Sequence, residues 1–190
     1  MIVAVVLAAG ISERLGRPKQ LLELDGKPLL QHAVDRAALH FAEVVVVLGH
    51  EAGAVGAALE LPPGARIVRN ESFRDGQHSS VRAGFAAASR DADAVAMLLG
   101  DQPHVGDGLI EVTLEAFARS RAGVVRPRHG DAPGHPVLVR AEVARRLAAA
   151  GDEELGRTLR GPEVEWVDGG PEPPADVDTW EDYQALRARS

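Results

Sequence analysis

Continuous apolar runs punctuate the chain at Ile2–Leu7 (IVAVVL), Glu43–Leu48 (EVVVVL), Arg66–Val68 and Ala94–Leu99 (AVAMLL). A run without polar alternation predicts a strand covered on both faces, as in a parallel sheet. Between these runs, Leu29, Leu30, Ala33, Val34, Ala37 and Phe41 recur at helical spacing, as do Val81, Phe85 and Ala88. Val112, Leu114, Phe117 and Ala118 do so less cleanly. Strand and helix in alternation predict βαβ units with helices on both faces of the sheet. Further on, Gly123–Arg126 and Pro136–Arg140 read as short strands, Ala141–Ala150 as a helix and Val164–Val167 as another strand. A Pro/Gly-rich stretch, Asp168 to Asp176, precedes a last helix that opens at Thr179. The expectation is one three-layer, Rossmann-like α/β domain over residues 1–190, with a mostly parallel sheet of about seven strands.

Composition narrows the function classes. The 190 residues are 45% hydrophobic and 26% charged, as in a folded soluble protein. With no cysteine, disulfides, thiol nucleophiles and Cys-ligated metals are excluded. A net charge of −7 and 4% aromatic residues argue against nucleic acid or an anionic membrane as partner. No apolar run approaches the ~20 residues of a membrane helix. Met1-Ile2-Val3 enters a strand without the basic lead of a signal peptide, so a cytoplasmic location is expected. The only lysines are Lys19 and Lys27. GC-rich codon usage explains most of that bias, yet a lysine kept among arginines offers a compact charge that arginine does not.

About 20 residues separate the first strand from the helix near Pro28, where about two to six are usual. Gly10, Ser12, Arg14, Gly16 and Lys19 lie in this loop, at the carboxyl end of the first strand, where open α/β sheets bind ligands. Glycine amides and two cations there suit a polyphosphate. The spacing fits neither a P-loop nor a dinucleotide fingerprint. Asp101 follows a buried strand and faces the same edge if the strands are parallel. It is either a metal-holding carboxylate or a turn aspartate before Pro103. Thr179 and Asp182 explain themselves as a capping box, and Ser79 or Ser80 as a helix cap.

Leu7-Ala8-Ala9-Gly10-Ile11-Ser12-Glu13-Arg14-Leu15-Gly16-Arg17-Pro18-Lys19 resembles the opening of nucleotidyltransferases of the molybdenum-cofactor group. Gly100-Asp101-Gln102-Pro103, the Asn70–Ser80 segment and Gly134-His135-Pro136-Val137-Leu138 resemble further motifs of that family. Within it, the chain is most similar to the molybdenum cofactor cytidylyltransferases. The resemblance implies transfer of CMP from CTP to the terminal phosphate of molybdopterin, with release of pyrophosphate. It implies nucleotide contacts from Leu7, Ala8, Ala9, Gly10, Ser12, Arg14, Lys19, Asn70, Ser79 and Ser80. Lys19, Arg14 and Asp101 become the catalytic set, and Asp101 with Asp178 the ligands of Mg²⁺ or Mn²⁺. Gly134 and His135 are expected on the acceptor side, although His135 could equally cap the following strand. The nucleotide part is expected at about 1–105 and the acceptor part at about 106–190. The expected state is a monomer, in transient contact with an apo-molybdoenzyme. Guanylyl or other nucleotidyl transfer to a pterin, sugar phosphate or small phosphorylated acid is the nearest alternative. A cofactor-inserting chaperone is the alternative from another class.

Overall fold

A computed structural model of the chain describes residues 1–88 and 92–189. The first half runs β1 (Ile2–Ala8), a hairpin of β2 (Glu23–Leu24) and β3 (Lys27–Pro28), α1 (Leu29–His40), β4 (Glu43–Leu48), α2 (Ala52–Ala57), β5 (Ala65–Arg69), α3 (Gln77–Ala87) and β6 (Ala94–Leu99). The second half runs α4 (Asp107–Arg119), β7 (Val124–His129), β8 (Ala132–Pro133), β9 (Val137–Arg140), α5 (Ala141–Leu147), α6 (Asp152–Arg160), β10 (Val164–Asp168) and α7 (Trp180–Arg187).

The principal sheet has the order β10-β7-β9-β6-β1-β4-β5, with β8 paired to β7. β1 is parallel to both β4 and β6, and β9 is antiparallel to both β6 and β7. The fold is therefore the expected mostly parallel α/β sandwich. The carboxyl ends of β1, β4, β5, β6, β7 and β10 share one edge. Side chains alternate between two cores. Ala4, Val6 and Ala8 face Leu30 and Val34 of α1, in the core that also holds Ile110 and Phe117 of α4. Val3, Val5 and Leu7 belong with Val81 and Phe85 of α3, Leu147 of α5 and Leu155 of α6. A third, smaller core joins Leu15, Leu22, Leu24 and Leu29 to Val177, Tyr183 and Leu186. No described helix is long and apolar enough to cross a membrane.

Several elements depart from expectation. Along α4, Ile110, Thr113 and Phe117 are buried while Val112 is exposed, so its inward stripe is rotated from the expected one. The helix expected over 141–150 stops at Leu147, and Gly151 leads into α6. That helix escaped notice although it carries Asp152, Glu153 and Glu154 in its first turn and Arg157 and Arg160 in its last, matching the helix dipole. Neither serine caps α3. Gly76 is the cap, at φ 94°, a left-handed value open to glycine, and the Ser79 hydroxyl donates back to the Gly76 carbonyl at 2.7 Å.

Candidate active site

The long loop after β1 is folded into two single-turn 3₁₀ segments, Glu13–Leu15 and Lys19–Leu21. Ser12 adopts a left-handed backbone, φ 61°, and its hydroxyl accepts from the Lys19 amide at 3.1 Å. This closes the loop on itself and fixes the start of the second turn. Gln20, buried to 3% exposure, donates from Nε2 to the carbonyls of Ala8 (2.8 Å) and Gly10 (3.2 Å). It thus ties the loop to the end of β1. Sequence reasoning missed Gln20; an amide inside the apolar Gln20-Leu21-Leu22 stretch was the available signal.

Lys19 is thereby aimed at two carboxylates from distant parts of the chain. Its Nζ lies 2.6 Å from Asp101 Oδ2 and 2.7 Å from Asp178 Oδ1. Asp101 stands beyond β6, and Asp178 immediately precedes α7. The Asp182 carboxylate accepts from the backbone N–H of Asp178 (3.1 Å) and Thr179 (2.8 Å), and Thr179 completes the capping box. Arg14 reaches Asp178 more loosely at 3.4 Å. Burial works against the Lys19 charge, but the Asp101 and Asp178 carboxylates outweigh it and hold the ammonium above the usual lysine value. Asp176 is pushed up, first by burial and then by the charges of Asp101 and Asp178.

These groups edge a cleft of about 520 Å³ along the carboxyl ends of β1 and β6. Leu7, Ala8, Ala9, Gly10, Ser12, Arg14, Lys19, Ser80, Asp101 and Asp178 all line it, together with Phe73, Arg74 and Gln77. Gly100 lets the strand end approach this closely, since a Cβ there would meet Leu30 at 2.7 Å and Ala8 at 2.9 Å. The structure leaves two of the expected nucleotide residues, Asn70 and Ser79, out of the cleft lining. Asn70 is buried beneath it, donating to the hydroxyls of Ser79 (2.8 Å) and Ser80 (3.0 Å), so Asn70 and Ser79 brace the start of α3. Gly134 and His135 sit at the start of β9, on the same sheet edge but outside the lining. The Gly134 carbonyl accepts from Arg126 Nη2 at 2.8 Å. The chain bends at His135, just before β9.

A divalent cation fits this site. Asp101 Oδ1 is buried without a hydrogen-bond partner. No cluster of three or more acidic or histidine ligands exists among the described residues. Two carboxylates facing a cleft suit an ion that completes its shell with phosphate oxygens and water, as Mg²⁺ does.

Residues 4–166 match the family of the MobA-like NTP transferase domain. The nicotine blue oxidoreductase of Paenarthrobacter nicotinovorans is 32% identical over 173 residues, covering 87% of this chain and 84% of that protein. The molybdenum cofactor cytidylyltransferase of Escherichia coli K12 is 24% identical over 135 residues, covering 71% and 68%. Among solved structures, Rv0371c of Mycobacterium tuberculosis H37Rv superposes with a TM-score of 0.83 at 33% identity, over 98% of this chain and 97% of that one. The manganese complex of Rv0371c gives 0.78 at 30% identity, over 100% and 99%.

Proposed function

The chain belongs to the MobA-like NTP transferase family, and from that premise we propose that it transfers CMP from CTP to the terminal phosphate of a molybdopterin-type acceptor. One observation carries this reading: the Lys19 ammonium is held between Asp101 and Asp178 at a cleft walled by the β1 loop. Glycine amides and Arg14 on that wall offer donors to the β and γ phosphates. Asp101 and Asp178 would hold Mg²⁺ or Mn²⁺. When bound, the ion neutralises phosphate charge as a Lewis acid. The acceptor oxygen attacks the α-phosphorus, the bond to the β-phosphate oxygen breaks, and pyrophosphate leaves with that electron pair. The attacking phosphate is already ionised, so no side chain need act as nucleophile or base. The protein supplies position and charge. Lys19 neutralises charge growing on the α-phosphate, and Ser80 with the Ala8-Ala9 backbone borders the place of the base and ribose. The cytidylyl choice is supported by Leu-Ala-Ala-Gly at residues 7–10 and by the cytidylyltransferase relative.

The name of the nicotine blue relative gives a second reading, oxidoreductase chemistry. A thermal-shift panel separates the two. CTP, GTP, UTP and ATP are each added with and without Mg²⁺, and NADH and NADPH form a further arm. A ligand at a hundredfold excess over Kd adds about 2.7 kcal/mol of apparent stability. A Mg²⁺-dependent shift led by CTP is expected. A shift led by GTP or UTP moves the enzyme to another branch of the family. A shift for a reduced nicotinamide nucleotide alone overturns the transferase reading.

A further inference from the structure

Next to the cleft, on the same face and edge of the sheet, lies a group of arginines with no acidic partner among the described residues. Arg126 is only 3% exposed, and its guanidinium donates solely to backbone carbonyls, those of Gly134 and Leu159. Burying a guanidinium without a counter-ion is costly, and such charges are normally paired. Arg128, two residues on, projects to the same face. Both guanidinium groups lie over the Trp166 ring, at 5.6 and 5.8 Å from its centroid. Arg160, at the end of α6, adds its repulsion to Arg126. Among the described residues none of the three forms an ion pair. The carboxylate nearest in register, Asp168 opposite Arg128, is turned onto the backbone N–H of Gly170 at 2.9 Å. His135 is no competing cation. Loss of solvent, and then Arg126 and Arg160, push its imidazole down to about 3, so it stays neutral.

The register sets the distance to the cleft. Val124 stands opposite Val139, and Val139 opposite Val95. Arg128 is therefore level with Leu99, a cleft residue, across two strand spacings of about 5 Å each.

We infer that Arg126, Arg128 and Arg160 form an oxyanion site for a second anionic group of the acceptor, about 10 Å from β6, the strand that leads to Asp101. Trp166 holds the exposed Arg128 against a flat surface, so its N–H fork is pre-oriented for a phosphate-like oxyanion. Arg126 supplies an unscreened charge from beneath. The substrate class follows: an extended acceptor with two anionic centres, not a small molecule with one. As an acceptor subsite this rests on the transferase reading; as an anion site it does not.

The probe is inorganic phosphate, titrated at constant ionic strength against chloride. Trp180→Phe leaves Trp166 as the one indole of the chain, and its emission is the readout. A saturable change is expected, weakened on the order of tenfold or more in Arg128→Gln/Arg160→Gln. Both arginines are exposed, so circular dichroism should show an unaltered fold. No saturable change, or one that survives the double substitution, overturns the site. A change abolished by Lys19→Met but kept in the arginine pair is phosphate in the cleft, and also overturns it. If nucleotides fail the thermal panel while Trp166 still reports phosphate, the transferase reading falls and the anion site stands.

Discussion

Lys19 is the residue on which the site converges, and its neighbours explain why a lysine stands there. An ammonium can donate to two carboxylates in different directions at 2.6 and 2.7 Å, which a planar guanidinium does less readily. The Lys19 and Asp101 side chains are largely enclosed, while Asp178 is 42% exposed, so the Asp101 contact is the stronger of the two. Lys19→Met leaves two carboxylates facing each other and should cost about 1–3 kcal/mol in metal-free protein. Asp101→Asn in that background should recover part of the loss. A urea-unfolding double-mutant cycle should give a coupling of about 1 kcal/mol or more. Zero coupling would mean that the bridge does not form in solution. That Lys19, Arg14 and Asp101 meet at one sheet edge could be read from the chain, because Asp101 follows a strand parallel to β1 and the other two lie in the loop that leaves β1. Gly100 could not, since its role is a close approach to Leu30 and Ala8, far off in sequence, and Gln20 left only the signal of an amide in an apolar stretch. Asn70 and Ser79 were legible as a motif but not in role: hydrogen bonds to one another take up the groups that a ligand would have used.

Between the elements, the least obvious relation is that of α7 to the loop after β1. Val177, Tyr183 and Leu186 pack on Leu15, Leu22, Leu24 and Leu29, and the Tyr183 hydroxyl donates to the Glu23 carbonyl at 2.5 Å. Arg17 lies over the exposed Trp180, 5.6 Å from its centroid. The last helix is therefore the clasp that holds the loop after β1, and the capping box at its start fixes Asp178. Tyr183→Ala should cost roughly 2–3 kcal/mol of local stability, enough to raise loop opening by tens- to hundredfold. Trypsin should then cut faster after Arg14 and Lys19 while the sheet keeps its far-UV signal. Cleavage at the wild-type rate would show that the clasp is not what orders the loop. The strands beside the site were legible because a doubly covered strand leaves an uninterrupted apolar run. α2 was not, because Ala-Gly-Ala-Val-Gly-Ala has weak helix propensity and is held by Ala52 and Val55 against β4. The antiparallel entry of β9 was also hidden, since strand direction is a property of the connections and not of the residues in the strand.

Across the whole molecule, charge is distributed unevenly: a chain of net −7 concentrates unpaired arginine on one part of the ligand edge. That arrangement has a signature in global stability through His135. Its imidazole is held at about 3 in the fold, well below the ordinary histidine value of about 6.5, first by burial and then by Arg126 and Arg160. The folded value is the lower one, so below about pH 6.5 the unfolded chain takes up a proton that the native state refuses. Stability from this group is complete above the unfolded value and is lost as pH falls from about 6.5 toward 3. The slope is at most about 1.4 kcal/mol per pH unit, less whatever solvent reaches the half-buried ring. His135→Gln keeps a neutral polar side chain and abolishes the titration. Chemical unfolding of both proteins from pH 8 to pH 3.5 should give a constant difference above pH 7. Below that the wild type should lose ground steadily against the variant. Parallel curves through the acid limb would mean that the ring is protonated freely in the native state.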